Sequence, residues 1–164
     1  MTVSHDSETP AHGKQVITAC AFIHRNISGV EQVFSAKRAS TKKFLPNVWE
    51  LIGGHIEFGE DIVEGLKREA LEELGMETEV GDPFAVFSYF NKVKGCHAVQ
   101  INYFAKFVSP VTQIRLDPEY HSEWRWFSEV ELLEAFVSVK DDSEMLVAKK
   151  GFALLRGEKP NLAE

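Results

Sequence analysis

The stretch GHIEFGEDIVEGLKREALEELGM, Gly54 to Met76, decides how the rest of the chain is read. From Asp61 onward it has helical periodicity: Val63, Leu66, Ala70 and Leu74 form an apolar stripe suited to packing on a sheet. Gly75 follows where a C-terminal cap is expected. Glu69, Glu72 and Glu73 crowd the last turns, where the helix macrodipole is already negative. At these spacings like charges repel by roughly 0.2–0.5 kcal/mol per pair. With about 100° per residue the three acids fall within an arc of roughly 100° and can converge on one point. A sequence tuned for stability alone would avoid this. A bound divalent cation explains it, because magnesium takes carboxylate oxygens as ligands.

The same stretch resembles the Nudix box, G-x5-E-x7-R-E-U-x-E-E-x-G-U with U apolar. Gly54, Glu60, Arg68, Glu69, Ala70, Glu72, Glu73, Gly75 and Met76 match it at every specified position. Seven of those positions admit a single residue type, so at about 7% usage each a chance match is on the order of one in 10⁸. An ordinary acidic helix with a solvated face explains the periodicity but neither the glycine spacing nor the acids at the C-terminal end.

Around the box, the 164 residues are of single-domain length, 44% hydrophobic and 26% charged. The net charge of −7 argues against a nucleic-acid polymer as partner, which calls for a basic stripe. It leaves a small nucleotide substrate open, because a bound cation reverses the local potential. Cys20 and Cys96 lie in apolar, strand-like sequence and read as free thiols. Residues 1–13 are polar and read as a flexible tail without a signal peptide, ahead of one domain over 14–164. No run is long enough to span a bilayer, so a soluble, cytoplasmic protein is expected.

QVITACAFIH (15–24) reads as a buried strand, turned at Asn26 to Gly29 into a second strand within EQVFSAKRAS. WELI (49–52) is a short strand leading into the box. Two long strands follow, joined at Lys94–Gly95, then a loop over 109–121 and the strand EWRWF. SEVELLEAF reads as a helix capped by Ser128, and DDSEMLVAKKGFALLRG as a last helix, interrupted or weakened at Gly151. Strands covered by helices on both sides give an α/β class fold, an α/β/α sandwich around a mixed sheet. The Nudix family has that fold.

The resemblance implies metal-dependent hydrolysis of a nucleoside diphosphate linked to another group, with Mg2+ or Mn2+ as cofactor. It makes Glu69, Glu72 and Glu73 metal-binding acids and the Gly53 carbonyl a backbone ligand. Arg68 then orients the glutamates, and Glu60 fixes the loop. Taken without the resemblance, Arg68 and Glu60 are an intrahelical ion pair and an acid favoured by the helix N-terminus. A further acid outside the box, serving as ligand or base, is expected at Glu123, with Glu119, His121 and Glu57 as rivals. Glu57 is also a candidate to support the box loop. Arg38 resembles a phosphate-contacting residue, with Lys42 and Lys43 either adding to it or simply solvated. Gly54 and Tyr89 are expected at the substrate, while Phe87 and Phe90 divide between base stacking and core packing. Trp49–Glu50 resembles the pair before the box in MutT-like members, although Ile52 stands where those carry a proline.

Substrate choice lies outside the box. Asn91 replaces a proline of ADP-ribose hydrolases, and Tyr89 falls short of the tyrosine of diadenosine polyphosphate hydrolases. Elimination therefore favours a MutT-like nucleoside triphosphate hydrolase, with 8-oxo-dGTP one candidate. Ser143, Asp141 and Asp142 lie where a MutT asparagine reads the base. ADP-ribose or dinucleoside polyphosphate hydrolysis, a nucleotide sensor and an isoprenyl diphosphate isomerase are the alternatives. All box acids are present, unlike in many sensors, and neither cysteine sits in an isomerase motif. Relatives often form homodimers, though no separable interface signal stands in this sequence.

Overall fold

The computed structural model describes residues 8–137 and 143–159. Strand β1 (Gln15–Ile27) is central because it is apolar on both faces. Ala19, Ala21 and Ile23 enter one core and Phe22 the other, which is how a strand covered on both sides reads. At Ser28–Gly29, both with positive φ, the chain turns into β2 (Val30–Arg38). Strands β3 (Trp49–Glu50), β4 (Ile52–His55), β5 (Thr78–Asn91), β6 (Cys96–Phe107) and β7 (His121–Phe127) complete a seven-stranded sheet. Its order is β3-β2-β1-β6-β5, with β4 on β1 and β7 on β2. The β1–β6 pair is parallel and the others antiparallel, so the sheet is mixed as expected.

Helix α1 (Ile62–Leu74) covers one face, burying Leu66, Ala70 and Leu74 against Ala19, Ile23, Phe34 and Ile52. The Asp61 side chain caps it, accepting from the N–H groups of Val63 and Glu64, and Gly75 ends it in the left-handed conformation at φ 66°. On the other face α2 (Glu129–Phe136) and α3 (Ser143–Leu155) bury Leu132, Phe136, Val147, Ala148 and Phe152 against Phe22 and Val33. The Ser128 N–H donates to Glu131 at 2.8 Å, bracing the start of α2. These layers are the α/β/α sandwich.

Three expectations change. Gly151 does not interrupt α3; it is buried, and a Cβ there would lie 2.7 Å from the Phe22 ring. The glycine is a contact point between helix and sheet. The loose tail does not extend to residue 13, because the Ala11 N–H donates to Lys94 O at 2.8 Å and Ala11 is buried. The loop over 109–121 holds a 3₁₀ turn at Val111–Gln113, and β7 already begins at His121. Both cysteines are free, Cys96 buried and Cys20 half-buried. Among the described residues no helix is long and apolar enough to cross a membrane.

Candidate active site

Two glycines bring β4 close to both β1 and α1. A Cβ on Gly53 would lie 2.0 Å from Ala19 O, and one on Gly54 would lie 2.5 Å from Glu69 Oε2. At Gly53, where the neighbour is backbone, only glycine permits that approach, and its φ of +158° is one that side chains disfavour. Both glycines line a cavity of about 140 Å³, together with Glu69, Glu73, Arg38, Glu50, Tyr89, Gln100 and Glu144.

Arg68 organises the box. Its guanidinium grips Glu60 with two hydrogen bonds of 2.8 and 3.1 Å, and donates to Glu69 at 2.8 Å, Glu72 at 3.3 Å and the His55 carbonyl at 3.1 Å. Those bonds, Glu60's first, push the guanidinium pKa above its already high value. The Glu57 N–H donates to Glu60 at 2.9 Å, so Glu60 ties the loop to Arg68, while Glu57 contributes its backbone and stays exposed.

Of the three clustered acids, Glu69 and Glu73 are buried and line the cavity. Glu72 is exposed, outside that lining, and is joined to the cluster through Arg68. Burial, then the charges of Glu50 and Glu69, raises the Glu73 carboxyl well above the ordinary carboxylate range; Arg38 and the Gly53 N–H oppose this. Glu73 Oε2 is buried without a hydrogen-bond partner. Such an atom in a native site calls for a ligand.

Glu50 stands out in the sequence only as part of the Trp49–Glu50 pair, yet it lines the cavity. Arg38 Nη1 donates to both its oxygens at 3.2 and 3.3 Å, and His121 Nε2 stands 2.9 Å from Oε1. Burial would raise the Glu50 pKa, but Arg38 and His121 outweigh it and hold the group below its usual value. Arg38 also donates to Phe44 O at 2.9 Å, fixing the loop between β2 and β3.

The structure does not bring Glu123 to the site. Its carboxylate pairs with Lys37 at 3.1 Å and its side chain is 53% exposed, because the β2–β7 register sets Glu123 opposite Lys37, while a bulge that skips Ser122 sets His121 opposite Arg38. Glu119 is exposed and outside the lining too. Lys43 is likewise exposed, its backbone N–H donating to Glu8. Lys42 does line the cavity, its ammonium 4.4 Å from the Tyr120 ring centroid. Tyr89 and Phe87 line it, whereas Phe90 is 61% exposed. Ser143 is on α3 outside this cavity, and Asp141 and Asp142 lie outside the described residues.

Among the described residues no three acidic, histidine or cysteine side chains stand close enough to grip an ion without adjustment. The donor chemistry nevertheless fits one. Two buried carboxylates share a cavity, one of them with an unpartnered oxygen, and their mutual repulsion is what a hard divalent cation relieves.

The sequence profile of the NUDIX domain matches residues 14–147. A curated relative, the m7GpppN-mRNA hydrolase NUDT17 of Danio rerio, is 36% identical over 74 residues, 45% of this chain and 23% of that protein. The chain thus matches about a quarter of that relative's length. Among solved structures, a C. elegans Ap4A hydrolase complex superposes with a TM-score of 0.69 at 22% identity, covering 87% of this chain and 98% of that one. A MutT NUDIX hydrolase from Burkholderia pseudomallei gives 0.65 at 22%, covering 84% and 98%. At such identities the structures speak for the fold, while the profile spans most of the chain and includes the complete box. On that match the chain belongs to the Nudix family.

Proposed function

We propose that this chain is a Nudix pyrophosphohydrolase that cleaves a phosphoanhydride bond of a nucleotide, in the first place a nucleoside triphosphate. One observation carries the reading: two buried, mutually repelling carboxylates, Glu69 and Glu73, share a cavity with the Arg38 guanidinium and an aromatic wall. An anionic substrate with a flat base matches that mixture.

In this reading Glu69 and Glu73 hold Mg2+ or Mn2+, with the Gly53 carbonyl nearby and Glu72 joining from the rim. The ion would screen the phosphates and lower the pKa of a bound water. Arg68 holds Glu69 in place and, through Glu60, ties the loop that frames the site. Arg38 and Lys42 receive phosphate oxygens, and Gly54 leaves room beside Glu69 for them. Glu50 takes the part expected of Glu123, the acid outside the box, and His121 and Arg38 fix its orientation. Water adds to phosphorus as the bridging P–O bond breaks. The proton of that water passes to a carboxylate of this wall, and the leaving phosphate departs as an anion.

A compound with two nucleosides joined through a polyphosphate bridge, the linkage written m7GpppN in the name of the NUDT17 relative, is the second candidate, favoured by the 36% identity over 74 residues. The test is a screen of nucleoside triphosphates, ADP-ribose, dinucleoside polyphosphates and isoprenyl diphosphates with Mg2+, reading phosphate and pyrophosphate release. Turnover of a nucleotide supports the proposal. Tight binding of a nucleotide with no turnover of any compound favours a sensor instead.

A further inference from the structure

The segment between β6 and β7 ties two walls of the cavity together, and the hydrolytic reading leaves it without a part. A helix leaves its last carbonyls without partners of its own. In α1 these include Glu73 and Leu74, and the segment supplies the donors. The Arg115 N–H donates to Leu74 O at 2.8 Å and the Asp117 N–H to Glu73 O at 3.0 Å. Ile114 and Leu116 pack on the same core as α1, which seats the segment beneath the helix end.

Asp117 then turns the chain. Its carbonyl accepts from the N–H groups of Tyr120 and His121, both at 3.0 Å, and its Oδ1 accepts from the Glu119 N–H at 2.9 Å. An aspartate that accepts from the backbone two residues on builds the turn with its side chain. Beyond the turn, Tyr120 O accepts from the Ala39 N–H at 2.8 Å. His121 stands opposite Arg38, with Nε2 2.9 Å from Glu50 Oε1. One residue thus holds the Glu73 backbone by its N–H and the His121 backbone by its carbonyl. Glu50 is among the charges that raise the Glu73 carboxyl, so the two walls carry groups that repel. Repulsion favours their spreading, and the turn opposes it.

We infer that Asp117 is a positioning residue, whose side-chain turn fixes the spacing of Glu73 and Glu50 and so presets both carboxylates for a divalent cation and its substrate. Asp117 does not line the cavity, so it acts through Glu73 and His121 rather than on the reacting atoms. What it contributes is an acceptor oxygen at a fixed reach, not a negative charge. The inference rests on the proposed function, in which Glu73 and Glu50 flank the cation and the phosphate.

Mn2+ alone, titrated into the full chain and followed by electron paramagnetic resonance, tests this without turnover on the wild type, Asp117→Asn, Asp117→Ser and Asp117→Ala. The asparagine variant keeps the acceptor and loses the charge, the serine variant accepts more weakly, and the alanine variant not at all. Asp117→Ala should bind Mn2+ about tenfold more weakly, the scale of a lost contact behind a metal ligand, with Asp117→Ser between and Asp117→Asn within about twofold of the wild type. On a nucleotide the wild type hydrolyses, kcat should fall in the same order while KM stays nearly constant. Equal Mn2+ affinity in all four proteins overturns the inference and leaves the hydrolase reading intact. Equal weakening in Asp117→Asn and Asp117→Ala overturns it too, because the charge would then be the cause. So does a lower melting temperature at unchanged Mn2+ affinity, the mark of a turn that serves stability alone. If Asp117→Ala does not fold, Asp117→Ser against Asp117→Asn gives the same contrast. A wild type that binds no Mn2+ is the separate result that removes the metal-dependent reading, and this inference with it.

Discussion

Glu73 carries the site's conflict in one side chain: it is buried, faces Glu50 and Glu69, and keeps an unpartnered oxygen. Glu73→Gln should lower turnover at least ~10²-fold while circular dichroism and melting show an intact fold, the scale of a lost electrostatic stabiliser. Glu123→Gln, by contrast, should leave turnover within about threefold, because it removes only a half-exposed ion pair. Gly53→Ala belongs to a different class, a backbone clash with Ala19 O, and urea denaturation should register a loss of more than about 2 kcal/mol. The box residues were legible because they lie within one helix and the loop before it, where spacing determines placement. Glu50 was not, since its setting depends on β2 pairing with both β3 and β7, which joins Arg38 and His121 from distant sequence. The position of Glu123 was not legible for the same reason: the β2–β7 register, invisible in the sequence, sets Glu123 opposite Lys37 and His121 opposite Arg38.

At the scale of elements, local signals held where one segment supplies both signal and partner. Asp61, Gly75 and Ser128 each sit at the helix end that their chemistry favours. Gly151 shows where local reading fails, because a glycine inside a helical pattern looks like a weak point until Phe22 is brought beneath it. Gly151→Ala raises helix propensity yet drives a methyl into the Phe22 ring. It should therefore destabilise the protein by about 1–3 kcal/mol in chemical denaturation, against the propensity trend. A gain in stability would show that α3 is free to shift away from the sheet.

For the molecule as a whole, site and stability are linked through protons. Glu73 has a folded-state pKa above its unfolded one, so without a cation its contribution to stability is present below the ordinary carboxylate range and lost as pH rises through the raised value. Glu50 has the opposite sign, its contribution lost as pH falls. In a chelator, Glu73→Gln should therefore gain on the wild type in melting temperature as pH rises from 4.5 toward 8, within the carboxylate window. Adding Mg2+ should shrink or reverse that gap. The sandwich was legible from the chain because strands apolar on both faces require two covering layers, whereas the cavity's far wall was not, being assembled from β5, β6 and α3. The most direct test of the central claim is a Mn2+ titration with nucleotide present, followed by electron paramagnetic resonance, on the wild type and on Glu73→Gln. The account predicts a bound ion in the wild type and at least about tenfold weaker binding in the variant. Equal occupancy in both, or none in the wild type, would contradict it.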